Sequence, residues 1–408
     1  MTNNTSSSAG RDWPVDETIN AFVAFLFAAS APVAIILGAG VRGGLSEADL
    51  ASWIFAAFAL NGALTIGMSV AYRQPLAFFW TIPGTVLVGT ALQSLSFPEV
   101  IGAYILTAIL LLVLGLTGWV RAAMDRLPIP IVMGMVAGVF VQFGLDWIRA
   151  FQSDFVLVAA MTGTFVILSI FPKAQKVFPP MIGVLVVGLL MIAVQGTGES
   201  GLSGPANIYA SPKFYVPEFS ISAALELVVP LAITVIAAQN AQGIVILRSA
   251  GHTPPVSAIT TACGGASLVT AFLGSVSSCL TGPSNAILVS SGRTDRHWRA
   301  AVILGCFAIL FGIFAPLVTN LLLATPTAFL STLAGLALLR TLQSAFQSAF
   351  GPSFPLGSLV AFLVTLAGIP ILNIGAPFWG LIFGVLASLF LERGSFSKAD
   401  QITGAGAR

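Results

Sequence analysis

Charge is what this sequence has least of. Its 408 residues hold 17 Lys or Arg and 15 Asp or Glu, so 8% are charged while 57% are hydrophobic. The net charge of +2 says nothing about nucleic acid, and no nucleic-acid partner is expected. The chain has two histidines and three cysteines, and no CxxC pair or metal-ligand spacing joins them. Disulfide and zinc roles are thereby set aside, and no metal or cofactor is expected. His252 and His297 fall in loops beside basic residues and read as solvated. No HExxH, Walker loop, nucleophile elbow or paired-carboxylate motif occurs, so the chain reads as no enzyme. A secretory leader is also lacking. Residues 1–19 are polar and mixed in charge, and read, like 394–408, as a disordered cytoplasmic tail.

Apolar runs, by contrast, are abundant. The mean hydropathy is +0.97. Runs long enough to cross a bilayer recur along the chain, which marks an all-α polytopic membrane protein with lipid as its surroundings. About fourteen spans are expected, near 20–38, 51–72, 83–96, 99–120, 129–147, 155–171, 180–195, 221–247, 256–273, 283–291, 300–324, 326–347, 355–371 and 374–391. Spans 3 and 10 are too short to cross as simple helices. With the N-terminus inside, only Arg42, Arg149 and Lys213 of the 17 basic residues fall outside, as the positive-inside rule requires. Both termini are then cytoplasmic.

The chain also repeats itself at about half its length. Gly115 matches Gly312, Ala137-Gly138 matches Ala334-Gly335, and PMIG (180–183) matches PFWG (377–380). TIPGT (81–85) matches TGPSN (281–285). Seven spans per half is an odd number, so the halves must be inverted in the membrane. Transporters built this way bind at the midplane, where matched Gly- or Pro-broken segments meet. Pro83 and Pro283 would each start a half-helix, with the preceding residues extended. The free N–H groups of 84–85 and 284–285 would then face an anion. Candidate contacts are Thr81, Gly84 and Thr85 on one side, and Thr281, Ser284 and Asn285 on the other.

A third polar cluster, AAQNAQG (237–243), lies within span 8. Gln239 and Asn240 are costly in lipid unless paired, so they are candidate contacts or site scaffolding. The matching part of span 1 offers Ser30. Phe27 and Trp80 are among several aromatics that could pack a flat ring, although lipid or core packing explains each of them better. Glu226 and Asp146 are the acids within spans and the weak candidates for proton coupling. Glu226 lies about 20 Å along its helix from Gln239, so it does not reach a midplane cargo.

Several stretches carry a family resemblance. AQNAQGIVILRSAGHTPPVS (238–257), RQPLAFFWTIPGTVLVGTAL (73–92), LAGLALLRTL (333–342) and APFWGLIFGVLASL (376–389) resemble the BenE-type benzoate/proton symporters. The likeness runs over roughly 20–392. That family is related in architecture to nucleobase (uracil/xanthine) and SulP-type anion permeases. The resemblance implies a core domain (20–127 and 221–325) moving against a gate domain (128–220 and 326–393). It also implies inner-membrane residence, an aromatic carboxylate cargo, proton symport and a homodimer formed through the gate domains. Where the nucleobase relatives hold acids on span 8, this chain offers neutral Gln239 and Asn240, which suits an anionic cargo. A nucleobase or inorganic anion on the same fold remains open, as does a non-transporting scaffold or receptor.

Overall fold

The computed structural model describes residues 15–29, 31–120, 128–170, 180–195, 208–290, 293–369, 371 and 376–393. Ser30 and most of both tails lie outside these. The chain is mostly helical. Among the described residues, seven helical stretches are long and apolar enough to cross a membrane, and six shorter apolar helices accompany them.

In chain order, α1 (Val15–Ala29) and α2 (Ala31–Arg42) lead into α3 (Glu47–Tyr72). Strand β1 (Phe78–Trp80) runs into α4 (Ile82–Ala91), and α5 spans Phe97–Thr117. Then come α6 (Ile129–Ser153), α7 (Phe155–Ile170) and α8 (Pro180–Gln195). The second half opens with α9 (Ile221–Ser249) and α10 (Val256–Ala271). Strand β2 (Ser278–Leu280) runs into α11 (Gly282–Leu288). The last helices are α12 (His297–Ile313), α13 (Ala315–Leu323), α14 (Thr327–Ala349), α15 (Pro355–Ala367) and α16 (Ala376–Leu391).

Local chemistry explains several boundaries. Ser96 and Glu99 form a reciprocal capping box at the start of α5, and Gly118 ends that helix in the left-handed region at φ 72°. Pro230 lies within α9, where it removes a backbone donor. The ladder adjusts through two π turns, Ala224–Val228 and Thr234–Asn240. Such turns are frequent at functional sites, and the second carries Gln239 and Asn240.

The helices pack largely in two sets, with α2 touching both α4 and α14. Helix α10 lies on α5, α12 on α3 and α1, and α2 on α4. Separately, α14 and α15 pack on α6, α16 on α15, and α8 on α7. In lipid such packing relies on close approach of small residues rather than on water exclusion. Gly62 and Gly305 show this: a Cβ on Gly62 would lie 2.7 Å from the Gly305 carbonyl oxygen.

One expectation needs correction. The protein is not purely helical, because β1 and β2 pair antiparallel at its centre, Phe78 with Leu280, Phe79 with Cys279 and Trp80 with Ser278. Backbone groups at membrane depth must find partners within the protein. The two extended segments ahead of the prolines find them in each other.

Candidate functional site

The strand pair continues into both helix starts. The Thr81 N–H donates to the Ser277 carbonyl and the Thr281 N–H to the Ala77 carbonyl, each at 3.0 Å. An open strand edge in a membrane would be untenable, and side chains close both edges. On β1, Thr65 Oγ1 accepts from the Phe78 N–H (2.8 Å) and donates to its carbonyl (3.1 Å). On β2, Asn240 Oδ1 accepts from the Leu280 N–H (2.8 Å), and Ser267 Oγ accepts from the Ser278 N–H (2.9 Å). Helix α9 comes close enough that a Cβ on Gly282 would collide with the Gln242 side chain.

This arrangement sorts the candidate residues. Asn285 is fully buried and does not line the cleft. Its amide accepts from the Ala77 N–H (3.1 Å) and donates to the carbonyls of Ala77 (3.2 Å) and Thr281 (2.6 Å). Asn240 is likewise turned onto β2 and Cys263. Both asparagines are locks on the strand pair rather than walls of a cavity. The Gly84 N–H donates to Thr81 Oγ1, the Thr85 N–H to the Thr81 carbonyl and the Asn285 N–H to the Thr281 carbonyl. Three of the four N–H groups expected to face an anion are therefore engaged within the helix starts. Ordinary capping does this, and it was not visible in the residue spacing alone.

Thr281, Ser284 and Gln239 do line a cleft, together with Phe27, Trp80, Ile82 and Pro283. Two buried polar atoms in its walls, Trp80 Nε1 and Thr281 Oγ1, have no partner among the described residues. Ser277 Oγ and Ser278 Oγ, at the start of β2, have none either among the described residues. Orphaned buried polar atoms are rare in proteins, and two in the wall of one cleft call for an explanation. The cleft holds only about 20 Å³, room for a single water. It adjoins a cavity of about 730 Å³ through Phe27, Ile82, Gln239 and Pro283. That larger volume lies between the two helix sets and falls in the roughly 300–1,000 Å³ range of small-molecule sites.

Glu226 and Asp146 line a different cavity, of about 470 Å³, which shares no residue with the cleft. There Asp146 pairs with Arg42 (2.9 Å) and Arg149 (3.3 Å), so α6 is tied to α2 across the two sets. The histidines also differ from expectation. His252 and His297 are buried, and His252 Nε2 lies 3.1 Å from His297 Nδ1. Burial and the facing His297 hold His252 below the ordinary imidazole range. The folding of α12 against the loop after α9 brings them together, over a separation that no local pattern reveals.

Comparison with known proteins places this geometry. The profile of the BenE family, described as benzoate membrane transport protein, matches residues 12–390. The chain belongs to the BenE family. Among BenE relatives, the "Inner membrane protein YdcO" of Escherichia coli (strain K12) is 30% identical over 393 residues, 94% of this chain and 98% of that one. The "Benzoate membrane transport protein" of Acinetobacter baylyi (strain ATCC 33305 / BD413 / ADP1) is 30% identical over 392 residues, covering 93% and 96%. In fold, the chain is similar to the transmembrane domain of a cyanobacterium bicarbonate transporter, BicA. That likeness has a TM-score of 0.60 at 14% identity, over 91% of this chain and 97% of the other. This BenE-family protein is thus a membrane transporter.

Proposed function

We propose that this BenE-family transporter carries benzoate or a similar aromatic carboxylate across the inner membrane by proton symport. The observation that carries the reading is the chemistry of the cleft. Apolar walls from Phe27, Ile82 and Pro283 meet the unpartnered Trp80 indole and Thr281 hydroxyl, the Gln239 amide and Ser284. Among the described residues, no carboxylate lines it. A flat ring with one carboxylate needs this mixture, and a fixed acid would repel it. The ring would extend into the larger cavity, since the cleft alone is too small.

In this reading Thr281, Ser284 and Gln239 touch cargo. Thr81, Gly84, Thr85, Asn240 and Asn285 hold the frame. The core (20–127 and 221–325) slides against the gate (128–220 and 326–393), with the Arg42–Asp146 bridge closing one side. Glu226 and Asp146, which line the cavity on that side, are the proton-coupling candidates. Both termini are cytoplasmic, and the gate domains pair in a homodimer.

A second reading, an inorganic anion as cargo, is favoured by the fold shared with a bicarbonate transporter. The apolar cleft weighs against it, because a strongly hydrated ion gains little there. The test is uptake of labelled benzoate into proteoliposomes under an imposed pH gradient. Uptake that unlabelled benzoate competes away is expected. Transport of uracil or sulfate with no benzoate uptake would overturn the reading.

A further inference from the structure

Arg340 is the one charged residue in α14, an otherwise uncharged 23-residue span. It lies thirteen residues after Thr327, about 20 Å along the helix, so it sits well within the span. A charge at such a position marks a pathway or a pairing by default. Pairing does not account for it, since Arg340 forms no ion pair or hydrogen bond among the described residues. Its side chain instead lines the cavity of about 730 Å³ that adjoins the cleft. Among the described residues, Arg340 is the only charged one lining it, and Thr341 and Ser344 continue the polar stripe on the same helix. Gln239 and Pro283 stand across that cavity, on the opposite helix set.

From this geometry we propose that Arg340 is an anion-binding way station. It draws a carboxylate into the cavity and holds it transiently before the cargo passes to Thr281 and Gln239. The proposal rests on the aromatic-carboxylate reading for the identity of the anion, although not for the presence of an anion site. A guanidinium keeps its charge at any working pH and offers a planar fork matched to a carboxylate. A positive charge on the wall of a cavity raises the local concentration of anions. It leaves the translocation step itself unchanged.

Two measurements test this. In proteoliposomes, Arg340→Gln should raise the half-saturating benzoate concentration about tenfold from the side onto which the 730 Å³ cavity opens, as loss of one charge pair would. Maximal rate and entry from the opposite side should stay within about twofold. Arg340→Lys should restore most of the affinity, and added salt should weaken wild-type uptake more than that of the Gln variant. An unchanged half-saturation, or an equal loss from both sides, would overturn the proposal and leave Arg340 a structural or lipid-facing residue.

The second measurement needs no cargo. In a Cys306→Ser background, Ser344→Cys places a thiol one turn from Arg340. Negatively charged methanethiosulfonate should label it several-fold faster than the positively charged reagent, and Arg340→Gln should abolish the preference. Absence of a preference in the wild-type context would overturn the anion site. Failure of benzoate uptake with the preference intact would instead remove the cargo assignment alone. Unaltered gel-filtration and thermal-unfolding profiles establish that each variant is folded.

Discussion

The two broken helix starts share a Thr-x-Pro pattern and use it differently. Thr81 turns its hydroxyl inward, where it accepts from the Gly84 N–H (3.2 Å) and donates to Thr234 (3.0 Å). Thr281 occupies the matching position and lines the cleft, but its hydroxyl has no partner among the described residues. The fifth residue of each motif ties back to the threonine carbonyl, Thr85 through its hydroxyl and Asn285 through its amide. Only Asn285 reaches further, onto Ala77 of the other half. The first start is therefore a closed, self-capped element of ten residues, whereas the second has seven and leaves polar atoms for a ligand. Repeated sequence can build symmetric scaffolding and still leave one copy for chemistry.

The largest break in this comparison should come from Asn285→Ala. It strands the Ala77 N–H in a dry interior, while the Ala77 carbonyl keeps the Thr281 N–H, at a cost of roughly 1–3 kcal/mol. Thermal unfolding should show a clear drop in midpoint, beyond any effect on affinity. Thr81→Val should cost about 1–2 kcal/mol by removing the cap on the first start. Its half-saturating cargo concentration should change little in an uptake assay. Thr281→Val, the matched change, should reverse this pattern. Thermal stability should hold, because no hydrogen bond is lost, while binding weakens by about tenfold, near 1.4 kcal/mol. Equal behaviour of the two threonine variants would dissolve the distinction between closed and open starts.

The smallest effect tests whether the second half is also the pH-sensitive one. The pKa of His252 is depressed in the folded state, so the unfolded chain binds the proton more readily. Stability is then unaffected above roughly pH 6.5 and falls as pH drops below it. Unfolding midpoints at neutral and mildly acidic pH should separate in the wild type and converge in His252→Gln.

Much of the frame was legible from local rules. Pro83 and Pro283 announced breaks because a proline restricts the residue before it whatever the fold. The orphaned Thr281 was a candidate from its place in the repeat. Other parts were beyond such rules. Each strand is three residues long, too short for an alternating pattern to register. Thr65, Ser267 and Thr234 look like ordinary span residues until the strand edges they close, or the Thr81 hydroxyl they meet, come into place. Asn285 and Thr281 were equally good ligand contacts on paper, since an amide carries no sign of where it will point. His252 and His297 looked solvated because their burial comes from elements far apart in the chain.

The sequence by itself determined that the chain lives in a membrane, that it is helical with two proline-broken segments, and that it belongs to a benzoate transport family. Apolar runs, prolines and family motifs act through adjacent residues, so they can be read along the chain. Tertiary structure alone decided which polar groups serve the frame and which remain for cargo. A hydrogen bond in a dry interior goes to whichever partner the packing brings within 3 Å or so, and here those partners are distant in sequence, some of them in the opposite half of the molecule.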